Sequence, residues 1–264
     1  MRRVADPGVT DAATPTGTRE ERVLKHDRKA RVVVVDRGEG PVLEKTYATL
    51  PHVVWRTFGQ RPKARREHDN LAALVAAGVP CVRPSDWSAS TRLGCTIRST
   101  VVMEWIDGAR DLLWHLKRPP GREPIPRRRA RIGEYGRLVR TLHERGFVSS
   151  TCSPRNVLVR DVAGEERLLL CDQPQLLRVG RPLAGTRLAS IDLFDAVFAP
   201  RRRRLLSRAE RLRFLRAYAD GDRAIARKLW RTLDGRSRAT NQAGKRWCHA
   251  RSRVPFLRGR AGAR

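Results

Sequence analysis

Four polar residues occur in an order, and in local settings, that suit the transfer of a phosphoryl group from a nucleotide. Lys45 lies in the second strand of a predicted hairpin, and Glu67 lies in the helix predicted after it. Asn156 stands where a loop passes into a strand, and Asp172 ends the next strand. Transfer from ATP needs a Lys on the phosphates, a carboxylate that holds the Lys, and oxygen ligands for Mg²⁺. The set therefore predicts a site for ATP and Mg²⁺.

Each of these residues also has an ordinary alternative role. A single Lys on an edge strand is usually a surface residue, and an Asn or Asp at a strand end commonly caps a turn. Glu67 shares its predicted helix face with Leu71 and Leu74. A carboxylate on that apolar face needs a cationic partner. The prediction of chemistry therefore rests on the ordered set and not on any single member.

The loop before Asn156 lacks the carboxylate that normally orients the acceptor hydroxyl and takes its proton. The loop reads GFVSSTCSPRNVLV over residues 146–159, with Ser149, Ser150 and Thr151 at that place. A hydroxyl can orient an acceptor but cannot take its proton near neutral pH. General-base assistance contributes on the order of 10² to 10⁴ in rate, and the transition state is largely dissociative. The loss would slow transfer without abolishing the binding of ATP or Mg²⁺.

The elements that must position these residues form two parts. A strand-rich first part is predicted from a hairpin at 31–47, a helix at 63–78 and strands at 79–87 and 95–106. A helix-rich second part has a hairpin over 156–172 and predicted helices at 111–117, 126–145, 187–198, 207–219 and 221–233. This order predicts an α+β two-lobe fold.

The chain divides into four segments on this basis. Residues 1–28 are rich in Thr, Ala, Pro, Gly and charge, and they are predicted to form a flexible leader. An N-terminal lobe over 29–108 and a C-terminal lobe over 109–234 follow. Residues 235–264 contain basic residues and no acidic one, and they are predicted to form a tail.

Cysteine usage and the absence of membrane signals indicate the compartment. The five Cys residues form no CxxC pair, so neither a zinc site nor a disulfide framework is predicted. The six His residues show no HxxxH or HExxH spacing. No apolar run reaches the roughly 18 residues that span a bilayer. The first residues lack the apolar segment of a secretory signal. We therefore predict a cytoplasmic location.

The charge balance is strongly basic, with 56 Lys and Arg against 27 Asp and Glu and a net charge of +29 at pH 7. An Arg-rich coding bias and a polyanionic partner both account for this imbalance. The candidate polyanions are an anionic membrane surface, a phosphorylated glycolipid and nucleic acid. Aromatic residues make up 6% of the chain, and no RNA- or DNA-binding motif occurs. Nucleic acid is therefore the least favoured partner.

Basic stretches at 126–131 and 201–204, together with the tail, are the candidate contact surfaces. In the tail, Trp247, Phe256 and Leu257 are interspersed with Arg, as interfacial anchors are. An anionic leaflet attracts each nearby Lys or Arg by up to about 1 kcal/mol. The pattern predicts peripheral contact with the inner face of the cytoplasmic membrane, with a solvated, partly disordered tail as the alternative.

Several stretches across residues 30–233 resemble the lipopolysaccharide kinase family (the Kdo/WaaP type), bacterial relatives of the protein kinases. They include VLEKTY, VVMEWIDG, LVRTLHERGFV, SPRNVLV and LLLCD. The resemblance implies a protein-kinase-like fold, with a small β-rich N-lobe holding one helix and a helical C-lobe. It also implies ATP and Mg²⁺ as cofactors. The acceptor would be a sugar hydroxyl of a lipopolysaccharide core or a related anionic glycolipid.

The resemblance assigns roles to single residues. The residues implied for nucleotide and metal are Lys45, Glu67, Asn156 and Asp172, the last two as metal ligands. Thr151 stands where the family has its catalytic Asp. His143 belongs to an LHxxG run before the loop, and Asp192 is the residue expected to brace the loop. Two departures weaken the match, because DQP replaces DFG and the turn DRGEG lacks the GxGxxG pattern.

Two hypotheses follow from Thr151. The first is a phosphotransferase that works slowly or takes its base from elsewhere. The second is a catalytically inactive pseudokinase that binds nucleotide or glycolipid and regulates a partner.

Overall fold

The computed structural model describes residues 21–28, 30–117, 124–162 and 164–253. Its N-lobe is built on an antiparallel sheet of five strands in the order β1-β2-β3-β5-β4. The strands are β1 Glu21–His26, β2 Ala30–Asp36, β3 Pro41–Ala48, β4 Pro84–Arg92 and β5 Cys95–Glu104. The strand that carries Lys45 is β3, which pairs on both sides and is therefore internal to the sheet.

One long helix, α1 (Lys63–Ala76), packs across β4 and β5. Its buried positions include Glu67, Leu71 and Leu74, which recur at the helical spacing predicted from the sequence. Gly78 follows with a φ of +70°, the left-handed conformation that ends many helices. A 3₁₀ segment, Pro51–Thr57, connects β3 with this helix. The apolar face of α1 thereby presents Glu67 to the sheet.

The C-lobe is helical around two small sheets. Its helices are α2 Leu112–Leu116, α3 Ile125–Glu144, α4 Ala189–Leu193, α5 Pro200–Arg203, α6 Arg208–Tyr218, α7 Arg223–Asp234 and α8 Arg238–Arg253. One sheet has β6 Arg110–Asp111, β8 Val157–Val162 and β9 Glu165–Leu170, and the other pairs β7 Phe147–Val148 with β10 Leu177–Arg178. A 3₁₀ turn, Pro154–Asn156, precedes β8, and a π-helical segment, Phe194–Phe198, follows α4.

The helix before the loop, α3, packs closely on α6. A Cβ at Gly136 would lie 2.5 Å from the carbonyl oxygen of Phe214, so a side chain there would force the helices apart. The neighbouring Tyr135 ring meets the Phe214 ring edge-on at 5.1 Å. The Tyr135 hydroxyl donates to the carbonyl of Cys152 at 3.2 Å. The core of the C-lobe therefore supports the loop directly from below.

The structure corrects the sequence predictions at both ends. Residues 21–26 were assigned to a flexible leader, but they form β1, which pairs with β2. Within the predicted tail, residues 238–253 form α8, which packs on α4 and β10. Residues 1–20 and 254–264, and with them Phe256 and Leu257, lie outside the described residues. All six residues of β1 are exposed, and residues 238–253 are mostly polar or basic, so neither segment has the apolar content that is typical of a packed element.

None of the helices in the described residues combines the length and the apolar composition needed to cross a bilayer.

Candidate active site

The ammonium group of Lys45 joins the two lobes. Its Nζ donates to Glu67 Oε1 at 3.1 Å and to Asp172 Oδ1 at 2.5 Å. Glu67 is fully buried, and its Oε2 also accepts from the hydroxyl of Tyr47. Burial alone would lower the pKa of Lys45, but the charges of Glu67 and Asp172 outweigh it and raise that pKa. Lys45 is therefore a fixed cation at the junction of the lobes.

Tyr47 is the third member of this cluster. It follows Lys45 by two residues on β3, so both side chains point to the same face of the sheet. Burial raises the pKa of Tyr47 far above its ordinary value, and the charge of Glu67 raises it further. Tyr47 thus stays a neutral donor that holds the second oxygen of Glu67 while the first oxygen holds Lys45.

The β8–β9 hairpin brings Asn156 and Asp172 to one mouth. The amide N–H of Cys171 donates to the carbonyl of Asn156 at 2.9 Å. This bond sets the two ends of the hairpin side by side. Asp172 has a φ of +54°, which turns its carboxylate out of the strand direction and towards Lys45. The Nδ2 of Asn156 donates to the carbonyl of Thr151 at 3.0 Å. That bond leaves the amide oxygen of Asn156 for another partner.

A cleft of about 590 Å³ opens in front of these residues. Among its lining residues are three from the predicted site, namely Thr151, Asn156 and Asp172. The remaining lining residues are Leu113, Lys117, Ser153, Arg155, Asp195, Arg201, Arg202, Arg204 and Leu205. Five of these nine are cationic, so the wall facing the predicted site is basic.

The donor set of the cleft fits Mg²⁺ better than a transition metal. The described residues hold no cluster of three or more His, Cys, Asp or Glu side chains able to bind a metal. Mg²⁺ is usually held by one or two protein oxygens, with waters and substrate phosphates completing its shell. The amide oxygen of Asn156 and the carboxylate of Asp172, whose side chain is 46% exposed, are oxygens that could hold it.

Behind the loop lies a buried hydrogen-bond network centred on Asp192. Its Oδ2 accepts from the backbone N–H of Ser149 at 2.7 Å and lies 3.2 Å from His143 Nε2. The other ring nitrogen, His143 Nδ1, lies 2.8 Å from the hydroxyl of Tyr218. Both Asp192 and His143 are fully buried. They are therefore placed to hold the loop and not to touch a substrate.

The loop hydroxyls are engaged with Gln173, the residue after Asp172. Ser149 Oγ donates to Gln173 Oε1 at 2.7 Å and lies 3.2 Å from the hydroxyl of Thr151. The carbonyl of Gln173 in turn accepts from Asn70 Nδ2 of α1 at 2.7 Å. The glutamine of the DQP sequence thus ties the loop to the N-lobe helix.

The helix α8 packs against the loop and against the wall of the cleft. His249 Nε2 lies 3.0 Å from the hydroxyl of Ser150, a residue with a φ of +55°. Lys245 Nζ donates to Asp195 Oδ2 at 2.5 Å. A segment that the sequence assigned to a tail therefore contacts both the loop and the cleft wall.

The structure brings together most of the residues selected from the sequence. Those that meet at the cleft or at its floor are Lys45, Glu67, Thr151, Asn156 and Asp172. His143 and Asp192 lie behind the loop. The residues missed were Tyr47, Gln173, Asp195, Lys245 and His249. A usable signal existed for Tyr47 alone, because it repeats the two-residue spacing of Lys45 on a strand.

Comparisons with known proteins agree with this geometry. The family described as lipopolysaccharide kinase (Kdo/WaaP) matches residues 44–218, a range that includes the seven predicted site residues Lys45, Glu67, His143, Thr151, Asn156, Asp172 and Asp192. No curated protein matches the chain.

A similar solved structure is described as WaaP in complex with acyl carrier protein. It is 20% identical to this chain, covers 89% of this chain and 88% of its own, and has a TM-score of 0.53. At this identity the similarity concerns the fold alone. It confirms the predicted α+β kinase-like fold, with a β-rich N-lobe and a helical C-lobe.

Proposed function

Because the chain belongs to the lipopolysaccharide kinase (Kdo/WaaP) family, we propose that it transfers the γ-phosphoryl group of ATP to a sugar hydroxyl of a lipopolysaccharide core or a related anionic glycolipid. The observation that carries this proposal is the position of Lys45, which bridges the buried Glu67 and the cleft residue Asp172. A fixed cation beside a candidate metal ligand is the arrangement that phosphate groups require.

Each residue of the site has one task in this proposal. Lys45 turns from Asp172 to the phosphates, while Glu67 and Tyr47 keep it at the floor of the cleft. Asn156 and Asp172 would hold Mg²⁺, which would neutralise the charge that develops on the transferred group. Thr151, which lines the cleft, orients the acceptor hydroxyl.

Nucleotide binding is tested by thermal unfolding with ATP and Mg²⁺. A ligand at 100 times its Kd stabilises a protein by about 2.7 kcal/mol, so we expect a clear rise in the Tm of the wild type. Lys45→Met should lose most of this rise, because the cation on the phosphates is gone. Lys228→Met, at an exposed position of α7, is the matched control and should retain it. A wild type whose Tm does not respond to ATP would refute the proposal.

The basic wall of the cleft supports an anionic acceptor. Arg201 and Arg204 are exposed and line the cleft beside Thr151. Arg202 is partly buried and donates to the hydroxyl of Ser153 at 2.7 Å, so it serves as a structural part of the wall. We therefore assign Arg201 and Arg204 to anionic groups next to the accepting sugar hydroxyl.

The double variant Arg201→Gln/Arg204→Gln should raise the KM for purified rough-type lipopolysaccharide. Charged hydrogen bonds contribute about 1.5–3 kcal/mol each, so a rise of at least about tenfold is expected. Stabilisation by ATP and Mg²⁺ should not change. Arg213→Gln, at an exposed position of α6, removes charge away from the cleft and should have little effect. Equal KM values for the wild type and the double variant would exclude this acceptor site.

The proposed location is the inner face of the cytoplasmic membrane. The ring of Trp247 on α8 is 44% exposed, and the Arg251 guanidinium lies 5.1 Å from its centre. An exposed Trp among cations is typical of a helix that lies at a lipid interface.

A pseudokinase is the second candidate, favoured by the hydroxyl of Thr151 at the place of the family carboxylate. Such a protein would bind nucleotide or glycolipid and regulate a partner. It predicts stabilisation by ATP with no phosphate transfer to any acceptor.

A further inference from the structure

We infer that Asp195 supplies the carboxylate that Thr151 lacks, by contacting the acceptor hydroxyl and taking its proton. This inference rests on the proposed function and identifies the base of the same site. Of the residues that line the cleft, two carry carboxylates, Asp172 and Asp195. Asp172 is engaged with Lys45 and is the candidate metal ligand. Asp195 is therefore the carboxylate left for the acceptor.

The backbone around Asp195 is irregular in a way that aims it at the cleft. Asp195 lies in the π-helical segment that follows α4, closed by the N–H of Ala199 donating to the carbonyl of Phe194 at 2.7 Å. Asp192, one turn earlier, points inward to the loop backbone, whereas Asp195 lines the cleft. A π-helical turn is rare and occurs frequently at functional sites. The change of helix type thus separates a supporting carboxylate from an accessible one.

The surroundings of Asp195 suit a proton acceptor. Its side chain is 19% exposed, enough for contact with a substrate and too little for full hydration. Oδ2 is held by Lys245, and among the described residues no hydrogen bond is made to Oδ1. Burial raises the pKa of Asp195 even though Lys245 opposes the rise. A carboxylate with a raised pKa is a stronger base than an ordinary surface Asp.

The step assigned to Asp195 balances without a further reactant. The acceptor oxygen forms a bond to the γ-phosphorus of ATP, and the bond from that phosphorus to the β–γ bridging oxygen breaks. Its electron pair leaves on ADP. The proton of the acceptor hydroxyl passes to Asp195 and later to solvent. Lys245 fixes the carboxylate during this step.

The competing role for Asp195 is purely structural, since the Asp195–Lys245 ion pair fastens α8 to the C-lobe. Asp195→Asn and Lys245→Met remove the same ion pair but only the first removes the carboxylate. A fastening role predicts equal effects of the two variants on kcat and on the unfolding temperature. A base predicts a far larger loss of kcat in Asp195→Asn.

The test measures transfer from γ-labelled ATP to purified rough-type lipopolysaccharide, with ATP hydrolysis as a second readout, in the full chain. Asp195→Asn should lower kcat on the order of 10² to 10⁴-fold while the Tm rise with ATP and Mg²⁺ stays as in the wild type. In the Asp195→Asn background, Thr151→Asp should restore most of the lost kcat. The factor by which kcat falls in Lys245→Met should be less than a tenth of the factor by which it falls in Asp195→Asn.

Two failures are distinguishable. A wild type that ATP does not stabilise refutes the proposed function, and the inference with it. A wild type that binds ATP but transfers phosphate to neither lipopolysaccharide nor water also refutes the proposed function, and the inference with it. A wild type that transfers phosphate overturns the inference alone in either of two cases: Asp195→Asn retains kcat, or Lys245→Met matches its loss.

Discussion

Asp172→Asn is expected to lower phosphate transfer on the order of 10² to 10³-fold, the usual cost of removing one preorganised electrostatic group from an active site. The carboxylate of Asp172 lies 2.5 Å from Lys45 Nζ and is the strongest candidate ligand for Mg²⁺ in the cleft. An amide keeps the size of the side chain but not the charge that a divalent cation requires. Rates of transfer from ATP, measured at saturating Mg²⁺, provide the test.

The metal dependence of ATP binding makes this prediction specific. With Mg²⁺ present, ATP should stabilise the wild type more than Asp172→Asn. In EDTA the difference should vanish or reverse, because the wild-type carboxylate then repels the phosphates and still competes for Lys45. Asp220→Asn is a matched control, since that carboxylate is 79% exposed and its φ of +55° suits Asn. An Asp172→Asn variant with wild-type turnover would rule out the proposed metal site.

Asp192→Ala should destabilise the C-lobe by about 3 kcal/mol, because leaving a buried hydrogen-bonding group without its partner costs about 1–3 kcal/mol and two such groups lose Asp192. The change leaves the imidazole of His143 and the backbone N–H of Ser149 without their acceptor in a fully buried place. For a protein of this size, the Tm should fall by about 6–12 °C, since 1 kcal/mol corresponds to about 2–4 °C. Denaturant unfolding and calorimetry measure both quantities.

Conservative variants distinguish the loss of these hydrogen bonds from a simple loss of packing. Asp192→Asn keeps an oxygen for the N–H of Ser149 and should lose less stability than Asp192→Ala. Tyr218→Phe removes one bond to His143 and one that the hydroxyl accepts from the N–H of Gly185, and it should cost about 1–2 kcal/mol, at about 1 kcal/mol per hydrogen bond. Equal losses of stability in all three variants would contradict the assignment of Asp192 as the main hydrogen-bond acceptor behind the loop.

The parts of the site that could be predicted are those fixed by local periodicity. The strand and helix patterns place Lys45 on β3 and Glu67 on the buried face of α1. The short hairpin sets Asn156 against Asp172, because the β8–β9 register pairs Val157 with Leu170. These positions follow from residues close in sequence, where the spacing of side chains determines which of them meet.

The parts that could not be predicted depend on contacts between distant segments. Lys245 pairs with Asp195, 50 residues earlier, and His249 meets Ser150, 99 residues earlier. The helix that carries them looks like a solvated basic tail, since only scattered positions such as Asn241 and Cys248 are buried. A close approach also matters, because a Cβ at Gly244 would lie 3.0 Å from the Ile191 side chain. Neither composition nor helical spacing reveals such contacts.

The contacts of α8 have a consequence for how the protein is made. Synthesis runs from the N-terminus, so the cluster of Lys45, Glu67 and Asp172 is translated long before Lys245 and His249. A nascent chain that has reached residue 235 holds every selected ligand for ATP and Mg²⁺, yet its loop and its cleft carboxylate still lack their last partners. The helix α8 is therefore the last described segment to be synthesised, and the contacts of Lys245 with Asp195 and of His249 with Ser150 can form only after it.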